Sequence, residues 1–252
     1  MSYFVDVILP NYNKEFFLEE TINSVLNQSY NNWKLLIIDD CSIDNSKKII
    51  QKFAKNEKIK VIYLKKNKGV SFTRNLGIRL SNSKYISFLD SDDLWTPNKL
   101  KDQISFMEKN NYDFTYTDYT PFFEKNKKRS FKNKIITPDF FNFETFINNS
   151  SIGTSTMVVL RNIVKTTRFP KAAVLEDFPF KCKILKKIEL AKRFDQNTVF
   201  YRLTKNSLGS NKIKNLFWLW KINKNHNKLT FFRNIKSLFF ISINSLKKYG
   251  YK

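Results

Sequence analysis

The sequence predicts an α/β fold with a mixed, mainly parallel central sheet flanked by helices. In the first half of the chain, short apolar segments alternate four times with segments whose apolar residues recur at helical spacing. Such alternation favours parallel strands joined by right-handed helical crossovers. Polar residues directly follow three of the apolar segments. Because ligands bind beyond the carboxyl ends of parallel strands, these polar residues should meet at one ligand-binding edge.

Four strands and four helices are predicted in this half. The expected strands are Tyr3–Leu9, Trp33–Ile38, Lys60–Leu64 and Tyr85–Leu89. Two of the expected helices are Phe16–Asn27 and Ser71–Leu80. Another is capped by Ser42 or Asp44 and ends near Asn56, and the last has Pro97 in its first turn and ends near Lys109. The segments Pro10-Asn11-Tyr12, Asp39-Asp40 and Asp90-Ser91-Asp92 come after the first, second and fourth strands.

The second half is less regular. A strand is expected at Phe114–Thr117, and the polar, lysine-rich residues from Asp118 to Pro138 are expected to form a surface loop. Further elements are predicted in chain order: a strand within Thr154–Leu160, a helix over Phe178–Ile188 with Asp177 near its start, a strand at Thr198–Leu203, and two helices at Ile213–Lys224 and Phe231–Lys248. We expect one domain over residues 1–210 and a basic, aromatic helical tail over residues 211–252.

The formal net charge of +23 has three interpretations. A general enrichment in lysine and asparagine would leave a solvated basic surface. The charge would also attract the chain to an anionic membrane surface, or to nucleic acid. Charge alone does not choose among these interpretations, because it determines association and not fold.

Several classes of protein are disfavoured by the composition. The five glycines form neither a G-x-G-x-x-G nor a G-x-x-x-x-G-K-[ST] motif, which disfavours a dinucleotide site and a P-loop. The single histidine, His226, lies in the tail, so a histidine triad or zinc site is not expected. Cys41 and Cys182 have no paired spacing and are expected to be reduced thiols. With no signal peptide and no apolar stretch long enough to span a bilayer, we expect a cytoplasmic protein.

The run Phe88-Leu89-Asp90-Ser91-Asp92-Asp93 is the strongest indication of chemistry. Three carboxylates within four residues repel one another unless a cation neutralises them. Oxygen-only ligands favour Mg²⁺ or Mn²⁺, ions that usually also bind substrate phosphates. The run therefore predicts a metal–diphosphate site at the end of a strand.

Four segments together resemble the family 2 glycosyltransferases, inverting enzymes with the GT-A fold. They are Val7–Asn13, Ile37–Ser42, Lys66–Asn75 and Phe88–Asp93, and they occur in the family's order. The second half matches more loosely, through Thr154-Ser155-Thr156, Glu176-Asp177 and Ser207-Leu208-Gly209-Ser210. The resemblance implies a nucleotide-sugar-binding half at residues 1–117 and an acceptor-binding half at residues 118–210.

The resemblance also implies roles in donor binding. Asp92 would bind a divalent ion, Mn²⁺ or Mg²⁺, that bridges the two phosphates of a nucleotide-sugar, and Asp90 would hold the ribose or a metal-bound water. Asp39 would accept a hydrogen bond from uracil, which predicts a UDP-sugar. The remaining implied donor contacts are Pro10, Asn11, Tyr12, Arg74 and Ser91. Plainer structural interpretations exist for some of these residues: a helix cap for the aspartates, packing for Tyr12 and a solvated helix face for Arg74.

Catalysis and acceptor binding fall on the second half. By resemblance, Asp177 of the Glu176-Asp177 pair is the general base that takes the acceptor's hydroxyl proton, although it could instead cap a helix. Trp95 could stack on an acceptor sugar or belong to the core. Thr154, Ser155 and Glu176 are the other expected acceptor contacts, and Ser207–Lys212 could close over the diphosphate or simply connect two elements.

The function expected is metal-assisted transfer of a sugar to a hydroxyl of a glycan or lipid-linked saccharide. A non-catalytic nucleotide-sugar-binding protein is the first alternative. A nucleic-acid-binding protein is the second, but it leaves the acidic run unexplained, so nucleic acid is not expected as a partner. The tail interleaves aromatic residues with lysines, a pattern typical of a helix on anionic lipid and also of helices packed on a domain. A cytoplasmic protein peripheral to the membrane is therefore one expectation.

Overall fold

The computed structural model describes residues 4–126, 128–171, 174–204 and 212–249. Its strands are β1 Val5–Asn11, β2 Trp33–Asp39, β3 Ile59–Tyr63, β4 Tyr85–Phe88, β5 Leu94–Trp95, β6 Phe114–Lys125, β7 Lys128–Phe131, β8 Phe140–Phe141, β9 Val158–Leu160 and β10 Ala191–Arg202. Its helices are α1 Leu18–Leu26, α2 Ser46–Phe53, α3 Val70–Leu80, α4 Lys99–Asn110, α5 Phe143–Phe146, α6 Arg161–Val164, α7 Asp177–Leu185, α8 Lys212–Asn225 and α9 Phe231–Tyr249, with a 3₁₀ turn at Thr154–Thr156.

The strands form one mixed sheet in the order β3-β2-β1-β4-β9-β6-β10-β5. Strands β1 to β4 pair in parallel, and so do β6 and β10. β9 runs antiparallel to both β4 and β6 and joins the two parallel groups. The predicted fold class is confirmed. The sheet is mixed because β5, β7, β8 and β9 pair antiparallel with their neighbours.

Apolar clusters on the two faces of the sheet hold the helices against it. One cluster contains the inward side of α1, with Leu18, Ile22 and Val25 fully buried against β1 and β2. The other contains α7 together with residues of α8 such as Leu219 and Ile222. Because central parallel strands are covered on both faces, they are mostly apolar and buried: β1 is buried along its whole length, and β2 at every position except Lys34. The carboxyl ends of β1, β2 and β4 consequently lie side by side.

The prediction of a surface loop from Asp118 to Pro138 is wrong for much of that segment, because two strands occupy it. β6 continues through Asp118 to Lys125 and turns back as β7. Asp118 is fully buried, accepts hydrogen bonds from Thr137 and pairs with Arg193. The polarity of Asp118 reflects internal hydrogen bonding. Glu124, Lys125, Lys128 and Arg129 are exposed as the composition suggests, but they belong to paired strands and not to a loop.

Smaller corrections concern element ends. β1 includes Pro10 and Asn11, and β10 begins at Ala191, well before the expected Thr198. The N-cap of α2 is Asn45 and not Ser42 or Asp44, although the Asp44 carboxylate does accept the Ser46 N–H at the helix start. Pro97 precedes α4, which begins after Asn98. Most of the Ser207–Lys212 segment lies outside the described residues.

The helices expected in the tail are present as α8 and α9. Both cysteines, Cys41 and Cys182, are free thiols. Within the described ranges, none of the helices combines the length and apolar character needed to cross a bilayer.

Candidate functional site

The buried guanidinium of Arg74 joins two distant parts of the chain. It lies on α3, is 4% exposed, and donates from Nη2 to Oδ1 of Asp90 and from Nη1 to Oε1 of Glu176, both at 2.6 Å. Burial alone would lower the pKa of Arg74, but the carboxylates of Asp90 and Glu176 raise it above its usual value. Arg74 thus links Asp90, a predicted contact of the donor, to Glu176, a predicted contact of the acceptor. The buried Nε of Arg74 has no hydrogen-bond partner among the described residues.

The backbone before α3 is held in place by Asp40. Its two carboxylate oxygens accept the N–H groups of Lys68 and Gly69, each at 2.7 Å. Gly69 is the N-cap of α3 and has a φ of 85°, in the left-handed region that favours glycine. Asp40 therefore fixes where α3 begins, and with it the position of Arg74.

The Asp39 side chain is fully buried. It is 0% exposed, and its Oδ1 accepts hydrogen bonds from Asn11 Nδ2 at 2.8 Å and from Ser42 Oγ at 2.6 Å. Asn11 is itself 1% exposed, and its Oδ1 has no partner among the described residues. Pro10 is also buried, whereas the Tyr12 side chain is 43% exposed. Of the residues predicted to line a base pocket, only Tyr12 presents a large exposed surface, and Asp39 supports Asn11 from behind.

The three aspartates of the acidic run have separate environments. Asp90, with 29% of its side chain exposed, pairs with Arg74. Asp92, 18% exposed, pairs with Lys14 Nζ at 2.5 Å. Asp93 is buried and accepts from Ser155 Oγ at 2.6 Å and from the backbone N–H of Arg202 at 3.0 Å. Burial, and then the negative charges of Asp92 and Asp90, raise the pKa of Asp93 well above its usual value.

Asp93 connects two distant parts of the chain, through Ser155 and the backbone of Arg202. It anchors the turn, and so does Arg202 at the end of β10. Arg202 Nε donates to the carbonyl of Asp92 at 2.9 Å, and its other nitrogens pair with Glu20 and Glu124. Sequence reasoning missed Arg202 and Lys14, because these pairs connect residues far apart in the chain.

The candidate base Asp177 is the first residue of α7 and does not cap the helix. The N-cap is Glu176, which has helical backbone angles and makes no capping hydrogen bond. The Asp177 Oδ2 accepts from Lys181 Nζ at 2.6 Å and from Thr154 Oγ1 at 3.1 Å, while 32% of the side chain stays exposed. Asp177 therefore has a fixed orientation and an accessible surface.

Lys181 was not identified from the sequence, although it is four residues after Asp177 and on the same face of α7. Its side chain is 2% exposed, and Nζ also donates to the carbonyl of Ile152 at 2.6 Å. Burial alone would raise the pKa of Asp177, but the charge and hydrogen bond of Lys181, and then the charge of Arg74, bring it below its usual value. The Asp177 carboxylate is therefore ionised at neutral pH.

Two predicted acceptor contacts lie in the interior. Trp95 is 4% exposed and donates from Nε1 to the carbonyl of Ser155, so its ring is a core residue and has no free face for stacking on a sugar. Ser155 is 2% exposed and bonds both Asp93 and the N–H of Asp90. Ser91 is also buried. Thr154 and Glu176, each 8% exposed, lie beside Asp177 and Arg74.

The carboxylates at this edge suit a hard divalent ion in part. Asp90 Oδ2 and Asp92 Oδ1 accept no hydrogen bond within the described part of the chain, and carboxylate oxygens are ligands that Mn²⁺ and Mg²⁺ prefer. No group of three or more His, Cys, Asp or Glu side chains among the described residues could hold a metal ion. A divalent ion here would need further oxygen ligands from a substrate diphosphate.

Comparison with known proteins identifies the kind of chain to which this site belongs. The sequence model described as "Glycosyl transferase family 2" matches residues 6–179. The chain is 31% identical over 245 residues to TuaG of Bacillus subtilis (strain 168), provisionally named a glycosyltransferase of teichuronic acid biosynthesis. The match covers 97% of this chain and 96% of that protein. It is 35% identical over 225 residues to WfgD of Escherichia coli, named a UDP-Glc:α-D-GlcNAc-diphosphoundecaprenol β-1,3-glucosyltransferase, covering 88% and 85% of the two chains.

Solved structures share the fold at low sequence identity. Residues 1–349 of S. aureus TarS in complex with UDP-GlcNAc align with a TM-score of 0.73 and 19% identity, over 99% of this chain and 76% of that one. A longer TarS chain is matched over 44% of its length. The mannosyltransferase PcManGT of Pyrobaculum calidifontis, in complex with GDP-Man and Mn²⁺, aligns with a TM-score of 0.69 and 13% identity, over 100% and 77% of the chains.

Replacement of Arg74 by methionine is expected to lower the free energy of unfolding by about 3 kcal/mol, because the carboxylates of Glu176 and Asp90 lose their shared cation. Arg74→Lys should recover only part of this loss, since one ammonium group does not reproduce the two-armed guanidinium. Urea denaturation at neutral pH measures the difference. Lys52→Met, which removes an exposed pair with Glu19, is the control and should cost less than about 1 kcal/mol. Equal, small losses in both variants would contradict the importance of Arg74.

Proposed function

The chain is a member of glycosyl transferase family 2, and on that premise we propose that it transfers a sugar from a UDP-sugar, with inversion, to a hydroxyl of a glycan or lipid-linked saccharide. One observation carries the proposal. Arg74 links Asp90, at the end of the donor-side strands, to Glu176, the neighbour of Asp177. Donor phosphates and an acceptor hydroxyl would therefore meet at one edge of the sheet.

We propose that the donor's base lies against the exposed ring of Tyr12. Asp39 is assigned a supporting role through Asn11, because its carboxylate has no exposed surface from which to reach a base directly. Uridine is supported by the names of similar proteins, since WfgD is named for UDP-Glc and TarS is solved with UDP-GlcNAc. The fold does not by itself select uridine, because PcManGT, with a similar fold, is solved with GDP-Man.

A divalent ion, Mn²⁺ or Mg²⁺, would be held by Asp92 and Asp90. When bound, it would supply a Lewis acid that stabilises negative charge on the departing diphosphate. The chain itself places two cations beside these carboxylates, Lys14 on Asp92 and Arg74 on Asp90. Arg74 is suited to hold a diphosphate oxygen, because a guanidinium pairs with phosphate through several N–H groups. Lys14 would keep Asp92 neutralised while no donor is bound.

Asp177 is proposed as the general base. It would accept the proton of the acceptor hydroxyl as that oxygen forms a bond to the anomeric carbon and the bond from that carbon to the diphosphate oxygen breaks. One carboxylate oxygen is held by Lys181 and Thr154, and the other makes no described hydrogen bond, so it can receive the proton. Thr154 and Glu176 are the polar groups beside Asp177 that would orient the acceptor.

The name of WfgD supports a lipid-linked saccharide as the acceptor, because that relative is named for a diphosphoundecaprenol substrate. The free thiols of Cys41 and Cys182 agree with a reducing compartment. We therefore propose a location on the cytoplasmic face of the membrane.

Substitution of Asp177 by asparagine is expected to lower kcat by about 10²–10⁴-fold, because the amide cannot take the hydroxyl proton. Donor binding, measured by calorimetry with the nucleotide-sugar that a panel of UDP-sugars identifies, should persist. Glu189→Gln removes one exposed negative charge after the same helix and serves as the control. Unchanged transfer by Asp177→Asn would assign the base elsewhere, and absence of transfer by the wild type with every donor would favour a non-catalytic binding protein.

The variant Asp92→Asn should lose Mn²⁺-dependent donor turnover while its unfolding transition remains close to that of the wild type. The amide is a weaker ligand for a hard cation than the carboxylate it replaces. Turnover titrated with Mn²⁺ is the measurement, and Asp102→Asn, at an exposed site on α4, is the matched control. Retention of the wild-type Mn²⁺ response would remove Asp92 from the metal site.

Lys181→Met should move the acid limb of the kcat/KM profile to higher pH. In the wild type, Lys181 helps to keep the pKa of Asp177 below its usual value, so the base is ionised throughout the neutral range. Without that cation, burial would raise the pKa, and the base would be protonated over a wider pH range. Lys181→Arg should return the acid limb of the profile to its wild-type pH. Lys183→Met, on the same helix, should not shift the acid limb. An unshifted limb in Lys181→Met would show that Lys181 has only a structural role.

A further inference from the structure

Helix α9 packs on the protein through buried polar residues, with Leu238 and Ile241 against the core beside them. Asn234 and Ser237 are almost fully buried, and both receive hydrogen bonds from Asn223 Nδ2 of α8, at 3.1 and 2.9 Å. Asn244 Nδ2, two turns further along, donates to the carbonyl of Asn148 at 3.1 Å. Hydrogen bonds between polar side chains and backbone thus hold α9 on the domain.

The opposite side of α9 is apolar and faces solvent. Its exposed side chains, which we call the α9 apolar face, are Phe231, Phe232, Ile235, Phe239 and Phe240, with exposures of 61%, 81%, 47%, 60% and 40%. Phe232, Ile235 and Phe239 follow the spacing of one helical stripe. On a typical surface helix of a globular domain, the exposed side is polar. A contiguous exposed apolar surface of this kind marks an interaction site.

The charges around the face indicate its occupant. Lys236 and Lys247 are exposed on α9, and residues 211–252 contain no Asp or Glu. Arg233, on the same helix, pairs with Glu144. A helix with aromatic and aliphatic side chains on one side and flanking cations is typical of the interface of an anionic bilayer. A second copy of the same face would bring cations against cations, which disfavours a self-dimer. At 19 residues and with its cations, α9 is expected to lie along the surface and not to cross it.

We propose that the α9 apolar face docks on an anionic lipid surface, with Phe232 and Phe239 inserted among the lipids and the lysines at the headgroups. This inference gives a physical contact to the proposed membrane location. It does not depend on sugar transfer, so a failure of the catalytic proposal would leave it standing, and its own failure would leave catalysis untouched.

Sedimentation of the full chain with vesicles tests the proposal. Vesicles of phosphatidylcholine with phosphatidylglycerol should carry the wild type into the pellet, and vesicles of phosphatidylcholine alone should carry much less. The double variant Phe232→Ser/Phe239→Ser should bind the anionic vesicles at least about tenfold more weakly, because each phenylalanine that enters the lipid is favourable. Lys236→Gln and Lys247→Gln should each weaken binding about fivefold, and added salt should weaken it further.

The matched control is Ile43→Ser/Ile136→Ser, which removes two exposed apolar side chains outside α9, 86% and 66% exposed, and should bind as the wild type does. Circular dichroism should show all variants folded, as expected for changes at exposed positions. Wild-type protein that stays in the supernatant with anionic vesicles would overturn the proposal, and so would a double variant that binds equally well. A wild-type dimer in ultracentrifugation that the double variant abolishes, without vesicle binding, would assign the face to a second copy instead.

Discussion

The buried Arg74 guanidinium is the interaction on which the rest of the site depends. Carboxylates from the end of β4 and the start of α7 converge at this edge, and they would repel one another without a cation between them. Arg74 is supplied by α3, whose starting point is fixed by the Asp40 carboxylate on the N–H groups of Lys68 and Gly69. The sheet, the helix start and the charge balance of the site are therefore coupled through one side chain.

Each carboxylate with a proposed chemical role is paired with a basic side chain. Lys14 holds Asp92, Arg74 holds Asp90, and Lys181 holds Asp177. Such pairing balances the negative charge of the carboxylates and orients them in a partly buried setting. It also means that the site is preorganised by the chain's own residues before any substrate arrives, which reduces the reorganisation that substrate binding requires.

The sequence was informative wherever the signal is local. Strand–helix alternation and the polar residues after each strand predicted the sheet and the edge at which Asp90 and Asp92 lie. It was less informative where a partner far along the chain decides the environment. Asp118 was predicted to lie in a loop because its ion pair with Arg193 cannot be inferred from the neighbouring sequence. Trp95 was considered for stacking on a sugar because its hydrogen bond to Ser155 is formed only in the folded chain. The pairing of Lys181 with Asp177 could have been predicted from the sequence, since Lys181 lies one helical turn after Asp177.

The most direct test of the account is a crystal structure of the protein grown with UDP and Mn²⁺. The diphosphate should lie at the edge formed by Asp90, Asp92 and Arg74, with Mn²⁺ held by an aspartate and the phosphates and with the Lys14–Asp92 ion pair broken. A nucleotide bound away from this edge, with the Lys14–Asp92 pair intact, would contradict the account.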